Sequence, residues 1–121
     1  MKKRVLVADD KATGRELVRT VLENAGYEVH EASNGAEALR LAREVKPDLI
    51  ILDLHMPQRD GFAVLAELRS EIGFADLPIV ALTASAMQGD RERAMKIGFT
   101  GYITKPTRLG DLRNEVARLL A

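Results

Sequence analysis

The stretch Leu49-Ile50-Ile51-Leu52-Asp53-Leu54-His55-Met56-Pro57, followed by Asp60-Gly61, decides how this chain is read. Four aliphatic residues in succession mark a strand buried on both faces. The run breaks at a carboxylate, and Pro57 and Gly61 punctuate the loop behind it. An acid at the C-terminal tip of a buried strand stands where open α/β sheets place their ligands. The same grammar recurs on either side. Val5-Leu6-Val7-Ala8 ends in Asp9-Asp10, Ile79-Val80-Ala81-Leu82 ends in Thr83, and Tyr102-Ile103-Thr104 ends in Lys105-Pro106. Four strand ends thus carry three carboxylates, a hydroxyl and an ammonium. That set suits a divalent metal together with a transferable phosphoryl group.

Amphipathic segments separate the strands. After a first strand over residues 4–8, a helix is predicted over 14–25, with Leu17, Val18, Val21 and Leu22 on one face. Thr13 and Glu16 form its expected capping box, and Gly26 its stop. Residues 27–32 alternate apolar and polar and read as a strand near a sheet edge. A second helix over 35–45 is capped by Asn34 with Glu37 and closed by Pro47. Residues 49–53 form the central strand. A third helix covers 61–72, with Phe62, Leu65, Leu68 and Ile72 as its core face. A strand over 77–83 tolerates Pro78 near its start. A short charged helix over 89–97 stops at Gly98, a strand covers 101–104, and a last helix covers 108–120 with Leu109, Leu112, Val116 and Leu119 in one stripe.

This is a strand-helix unit repeated five times. It implies an α/β chain: one flavodoxin-like, doubly wound domain over residues 1–121, with a parallel five-stranded sheet of order 2-1-3-4-5. That order makes the first and third strands neighbours, so Asp9, Asp10 and Asp53 are expected to converge on one rim.

Composition narrows the function classes. A chain of 121 residues buries a core without disulfides, and the absence of Cys excludes disulfides and thiolate zinc sites. With 18 basic and 18 acidic residues there is no overall charge to favour nucleic acid. No apolar stretch approaches the roughly 20 residues needed to span a bilayer. The basic start Met1-Lys2-Lys3-Arg4 is followed by too short an apolar run for a signal peptide. A soluble cytoplasmic domain with no direct nucleic-acid or membrane partner is expected.

Taken together and in this order, several motifs resemble the receiver domain of two-component response regulators, over essentially the whole chain. They are Asp9-Asp10, Asp53 through Pro57 with Asp60-Gly61, Thr83-Ala84, and Tyr102-Ile103-Thr104-Lys105-Pro106. The stretch from Ala86 to Glu92 is similar to receivers attached to hybrid kinases and to some stand-alone ones. Lys11 departs from the acidic or polar residue often found there and is expected to face solvent.

The resemblance implies a role for each residue. Asp53 would accept a phosphoryl group from a histidine kinase or a histidine phosphotransfer protein, as an acyl phosphate. Mg²⁺, or Mn²⁺, would be held by Asp10, Asp53 and the backbone carbonyl of His55, with Asp9 acting through water. Lys105 would pair with the acids and then with a phosphoryl oxygen, aimed by a cis peptide before Pro106. Thr83 and Tyr102 would form the switch: Thr83 donates to the phosphoryl group, and Tyr102 turns into the space left behind it. His55 and Ser85 would tune the acyl-phosphate lifetime, while Pro57, Gly61 and Pro106 shape the loops. The readout surface would be the fourth helix, fifth strand and fifth helix. The chain is expected to assist its own phosphorylation and dephosphorylation, and not to be an enzyme on other substrates.

Each residue alone has a plainer reading. An acid pair ends many strands, a threonine fills a strand position, Lys-Pro is a common loop, and a tyrosine belongs to a core. Met56 and Met87 read as packing residues, and His30 as an exposed edge-strand residue. The joint placement at successive strand tips outweighs these readings. The leading expectation is a stand-alone phosphorylation switch, and a receiver excised from a hybrid kinase is the alternative within the class. A small phosphohydrolase with Asp53 as nucleophile is the alternative outside it. Against that, His55 stands where such enzymes carry a second acid. A flavin domain would place acids Asp9-Asp10 against the flavin phosphate.

Overall fold

The computed structural model describes residues 2–56, 58–84 and 89–121. Ten elements alternate: β1 (Arg4–Ala8), α1 (Ala12–Asn24), β2 (Glu28–Ala32), α2 (Gly35–Val45), β3 (Leu49–Asp53), α3 (Gly61–Arg69), β4 (Ile79–Thr83), α4 (Asp90–Ile97), β5 (Gly101–Thr104) and α5 (Leu109–Leu120). All strand pairs are parallel and the order is β2-β1-β3-β4-β5, as expected from the repeat. Among the described residues, no helix is long and apolar enough to cross a membrane.

The period-2 geometry of a strand explains why the central runs are apolar without interruption. Leu6, Ala8, Ile50, Leu52, Ile79 and Ala81 point to one face and pack with α2, α3 and Ala94 of α4. Val5, Val7, Leu49, Ile51, Val80 and Leu82 point to the other and pack with Val18 and Leu22 of α1 and Leu112 and Val116 of α5. Burying one such aliphatic side chain contributes roughly 1.5–3 kcal/mol, which sets the register firmly.

Two helix boundaries differ from the sequence reading by more than one residue. α1 starts at Ala12 with Lys11 as N-cap and no side-chain cap, so Thr13 lies inside the helix and forms no capping box with Glu16. α3 ends at Arg69, not at residue 72. The Arg69 guanidinium explains the early end. It donates to the carbonyls of Phe74, Ala75, Leu77 and Gly98 and to Thr100 Oγ1, pulling the following chain into a loop around itself. Ile72, read as core, therefore lies in that loop and is fully exposed. Leu17 and Leu109 also face solvent instead of the core. β2 and β4 each begin slightly later than expected, at Glu28 and Ile79. By contrast, Asn34 caps α2 through its side chain, accepting from the Glu37 amide at 2.8 Å, while Glu37 reaches back to Ser33. His30 is half-buried beside Glu28, with Nε2 2.7 Å from Oε2.

Candidate functional site

The sheet itself delivers the rim residues. One step beyond each strand, the ladder continues by a backbone hydrogen bond. The Asp9 amide donates to Ala32, that of Leu54 to Leu82 at 3.0 Å, and that of Lys105 to Thr83 at 2.7 Å. The β1 and β3 tips are adjacent because Ala8 pairs with Leu52, and Thr83 pairs with Thr104. Asp9, Asp53 and Thr83 are the buried polar residues here. Asp10 is exposed at the mouth.

One carboxylate oxygen from each of Asp9, Asp10 and Asp53 can be chosen so that all lie within 4.8 Å of one another. The Lys105 ammonium stands 3.0 Å from Asp53 Oδ2 and 3.1 Å from Asp9 Oδ2. Asp53 Oδ1 accepts from the His55 amide at 3.0 Å, and Asp9 Oδ1 from that of Lys11 at 3.0 Å. Asp9 Oδ2 is buried and receives no directed hydrogen bond; its contact with Lys105 is an ion pair only. A buried anionic oxygen in that state is expensive unless a cation completes its shell. The hard all-oxygen donor set matches what Mg²⁺ prefers. The residues therefore fit a magnesium ion.

Burial pushes the Asp53 carboxyl above the usual carboxylate range, against the His55 amide and Lys105, and the nearby Asp9 charge adds to the rise. For Lys105, burial pulls downward, but Asp53 and Asp9 together outweigh it and the ammonium is held more tightly than usual. Both are consequences of crowding acids around one cation.

Two glycines make the approach possible. A Cβ on Gly61 would sit 2.6 Å from the Asp53 carbonyl oxygen, so α3 starts hard against the tip of β3. A Cβ on Gly14 would sit 2.6 Å from Asp9 Oδ2. The sequence reading used Gly61 for the loop alone and gave Gly14 no part in the site. It also missed Arg15. This half-buried residue donates from Nη1 to the Asp9 carbonyl at 2.7 Å and from Nε to Glu31 Oε1 at 3.2 Å. Glu31 is in turn held by Arg19 at 2.8 Å. The only sequence signal was a basic residue about one turn after the acid pair.

Thr83 is fully buried at the end of β4, and Tyr102 is buried among the core residues of the α2/α3 side. The Lys105–Pro106 peptide is cis. His55 is exposed and Met56 is buried. Lys11 faces solvent. Pro57, Ser85 and Met87 lie outside the described residues.

A doubly wound sheet with an acid cluster at its switch point places that cluster where open α/β sheets bind their ligands. The model of the response regulator receiver domain matches residues 5–117, and the chain belongs to that family. It is 41% identical over 106 residues, 88% of this chain and 86% of the relative, to the polar-differentiation response regulator DivK of Brucella anthropi. The fold superposes on the chemotaxis response regulator CheY4 of Vibrio cholerae with a TM-score of 0.93, at 32% identity, over 99% of this chain and 100% of that one. It also superposes on the receiver domain of a Pseudomonas aeruginosa sensor histidine kinase, with a TM-score of 0.90, at 30% identity, over 99% and 98% of the chains. That structure holds a magnesium ion coordinated in its active-site cleft. Receiver domains are signalling switches of two-component systems, and they bind Mg²⁺ at an acidic cluster of this kind.

Proposed function

We infer that the chain accepts a phosphoryl group on Asp53 from the phosphohistidine of a kinase or phosphotransfer protein, and that the modified rim changes how the protein binds a partner. The observation that carries this reading is the shared position of Asp9, Asp10, Asp53 and Lys105 around one mouth. An Asp53 oxygen forms the new P–O bond as the P–N bond to the donor imidazole breaks. Bound magnesium supplies positive charge that lets an anionic carboxylate and an anionic phosphoryl group approach each other. Asp10 and Asp53 with the His55 carbonyl would hold it, and Asp9 would act through water.

The protein's own part is positioning. The His55 amide fixes Asp53 Oδ1, which limits rotation of the carboxylate. Lys105 bridges Asp53 and Asp9 before transfer and is placed to follow charge onto the phosphoryl group afterwards. Arg15 holds the Asp9 backbone and thereby the acid pair, with Glu31 holding Arg15. Thr83, at the neighbouring tip, supplies a hydroxyl for a phosphoryl oxygen. Tyr102 on the adjoining strand reports that change at the surface formed by α4, β5 and α5.

The test is transfer of radiolabelled phosphate from a phosphorylated histidine kinase or phosphotransfer protein. Label should pass to the wild-type chain in Mg²⁺ and not to Asp53→Asn. Label on the Asn variant would move the acceptor elsewhere.

A further inference from the structure

The loop that joins β3 to α3 carries the His55 carbonyl, and several contacts fix its course. At its base the Gly61 amide donates to the Leu54 carbonyl at 3.2 Å, and Asp60 caps α3 by accepting from the Ala63 amide at 2.9 Å. Met56 is buried in the same core cluster as Leu54. Between these anchors Gln58 and Arg59 have φ of 63° and 153°, in the region that favours glycine. Non-glycine backbone of that kind persists only where its surroundings hold it, and it gathers at functional sites.

Arg59 is held on two sides. Its backbone lies on Gly35, the first residue of α2. A Cβ there would overlap the Arg59 carbonyl oxygen and stand 2.6 Å from the Arg59 Cβ. Glycine weakens a helix relative to alanine, so close packing against the loop is what requires it at this position. The Arg59 side chain reaches forward to α3, where Nη1 pairs with Glu67 Oε1. The other Glu67 oxygen is held by Arg43 of α2 at 2.7 Å, and Arg43 also holds Glu71 at 2.6 Å. An isolated exposed ion pair contributes little. Here the pair belongs to a chain of charges that ties the loop to both helices, at a residue whose backbone is already strained.

A backbone carbonyl has no rotamer with which to reach a ligand, so the course of the chain alone aims it. Magnesium demands near-octahedral oxygen geometry, and a shifted loop would take the His55 oxygen out of place. The His55 amide also donates to Asp53 Oδ1 at 3.0 Å, so the same loop steadies the acceptor carboxylate. We propose that Arg59 is a positioning residue for the magnesium site: seated on Gly35 and tied to Glu67, it holds the loop that aims the His55 carbonyl. This role rests on the reading of that carbonyl as a magnesium ligand.

The experiment compares wild type with Gly35→Ala, Arg59→Ala and Ala36→Gly, the last at an exposed position of α2. Amide hydrogen exchange in EDTA reads the loop, and calorimetric titration with Mg²⁺ reads the site. Gly35→Ala and Arg59→Ala should each speed exchange of the His55 amide about tenfold and lower magnesium affinity about tenfold. Ala36→Gly weakens the helix by its propensity alone and should leave both as in wild type. If Gly35 served the helix alone, Gly35→Ala would strengthen α2 and leave magnesium affinity unchanged. Unchanged exchange in Arg59→Ala, or faster exchange with unchanged affinity, overturns the proposal, as does an equal loss in Ala36→Gly. Retained amide dispersion shows that the variants fold; if Gly35→Ala does not, Arg59→Ala decides the matter. In wild type, a magnesium titration that leaves the His55 and Met56 amide resonances unmoved strikes the carbonyl from the ligand set, whereas the metal-free exchange still decides whether Arg59 holds the loop.

Discussion

Lys105 Nζ lies 3.0 Å from Asp53 Oδ2, although 52 residues separate the two in the chain. The contact is made by strand order. β3 and β5 flank β4, and the cation leaves β5 one residue past the point where Thr104 pairs with Thr83. Among the described residues one ammonium serves two buried carboxylates, and this shortage of positive charge drives the first two predictions.

Asp53→Asn removes a buried charge that burial already disfavours, while leaving Lys105 paired with Asp9. The metal-free variant should be more stable than wild type by about 1 kcal/mol, measured by urea denaturation in EDTA. A less stable variant would mean that the Asp53–Lys105 pair outweighs its desolvation.

Magnesium should stabilise the wild-type chain with the logarithm of its concentration above Kd. Asp10→Ala should lower the affinity at least about tenfold, read by calorimetric titration. Chelation should return the melting temperature to the metal-free value. Equal affinity in the variant would remove Asp10 from the ligand set.

Arg15→Gln should lower magnesium affinity by about tenfold through the Asp9 backbone, and Glu31→Gln should act in the same direction. Neither substitution touches a metal ligand side chain. Unchanged affinity in both would reduce Arg15 to a surface ion pair.

Arg69→Ala should destabilise the fold by about 2–3 kcal/mol. It leaves the carbonyls of Phe74, Leu77 and Gly98 without their donor. Chemical denaturation measures this directly, and a loss under half a kcal/mol would contradict the clamp.

The strand tips were legible because buried parallel strands are written as unbroken aliphatic runs, and each run stops at a polar residue. The α2 cap was legible because Asn34 and Glu37 carry it locally. What could not be read depends on contacts made across the fold. Periodicity placed Leu17, Ile72 and Leu109 with the core, but it cannot say where a helix stops or how wide its buried face is. The end of α3 is set by Arg69 and carbonyls up to 29 residues away. Gly14 and Arg15 lie within α1 beside the acid pocket because that helix begins two residues earlier than its apolar pattern suggests.

The most direct measurement is intact-mass spectrometry of the chain after incubation with acetyl phosphate and Mg²⁺, followed by peptide mapping. The account predicts a single added phosphoryl mass on the peptide containing Asp53, absent in EDTA and absent from Asp53→Asn. Labelling that persists without a divalent cation, or that maps to a peptide other than the one carrying Asp53, would contradict it.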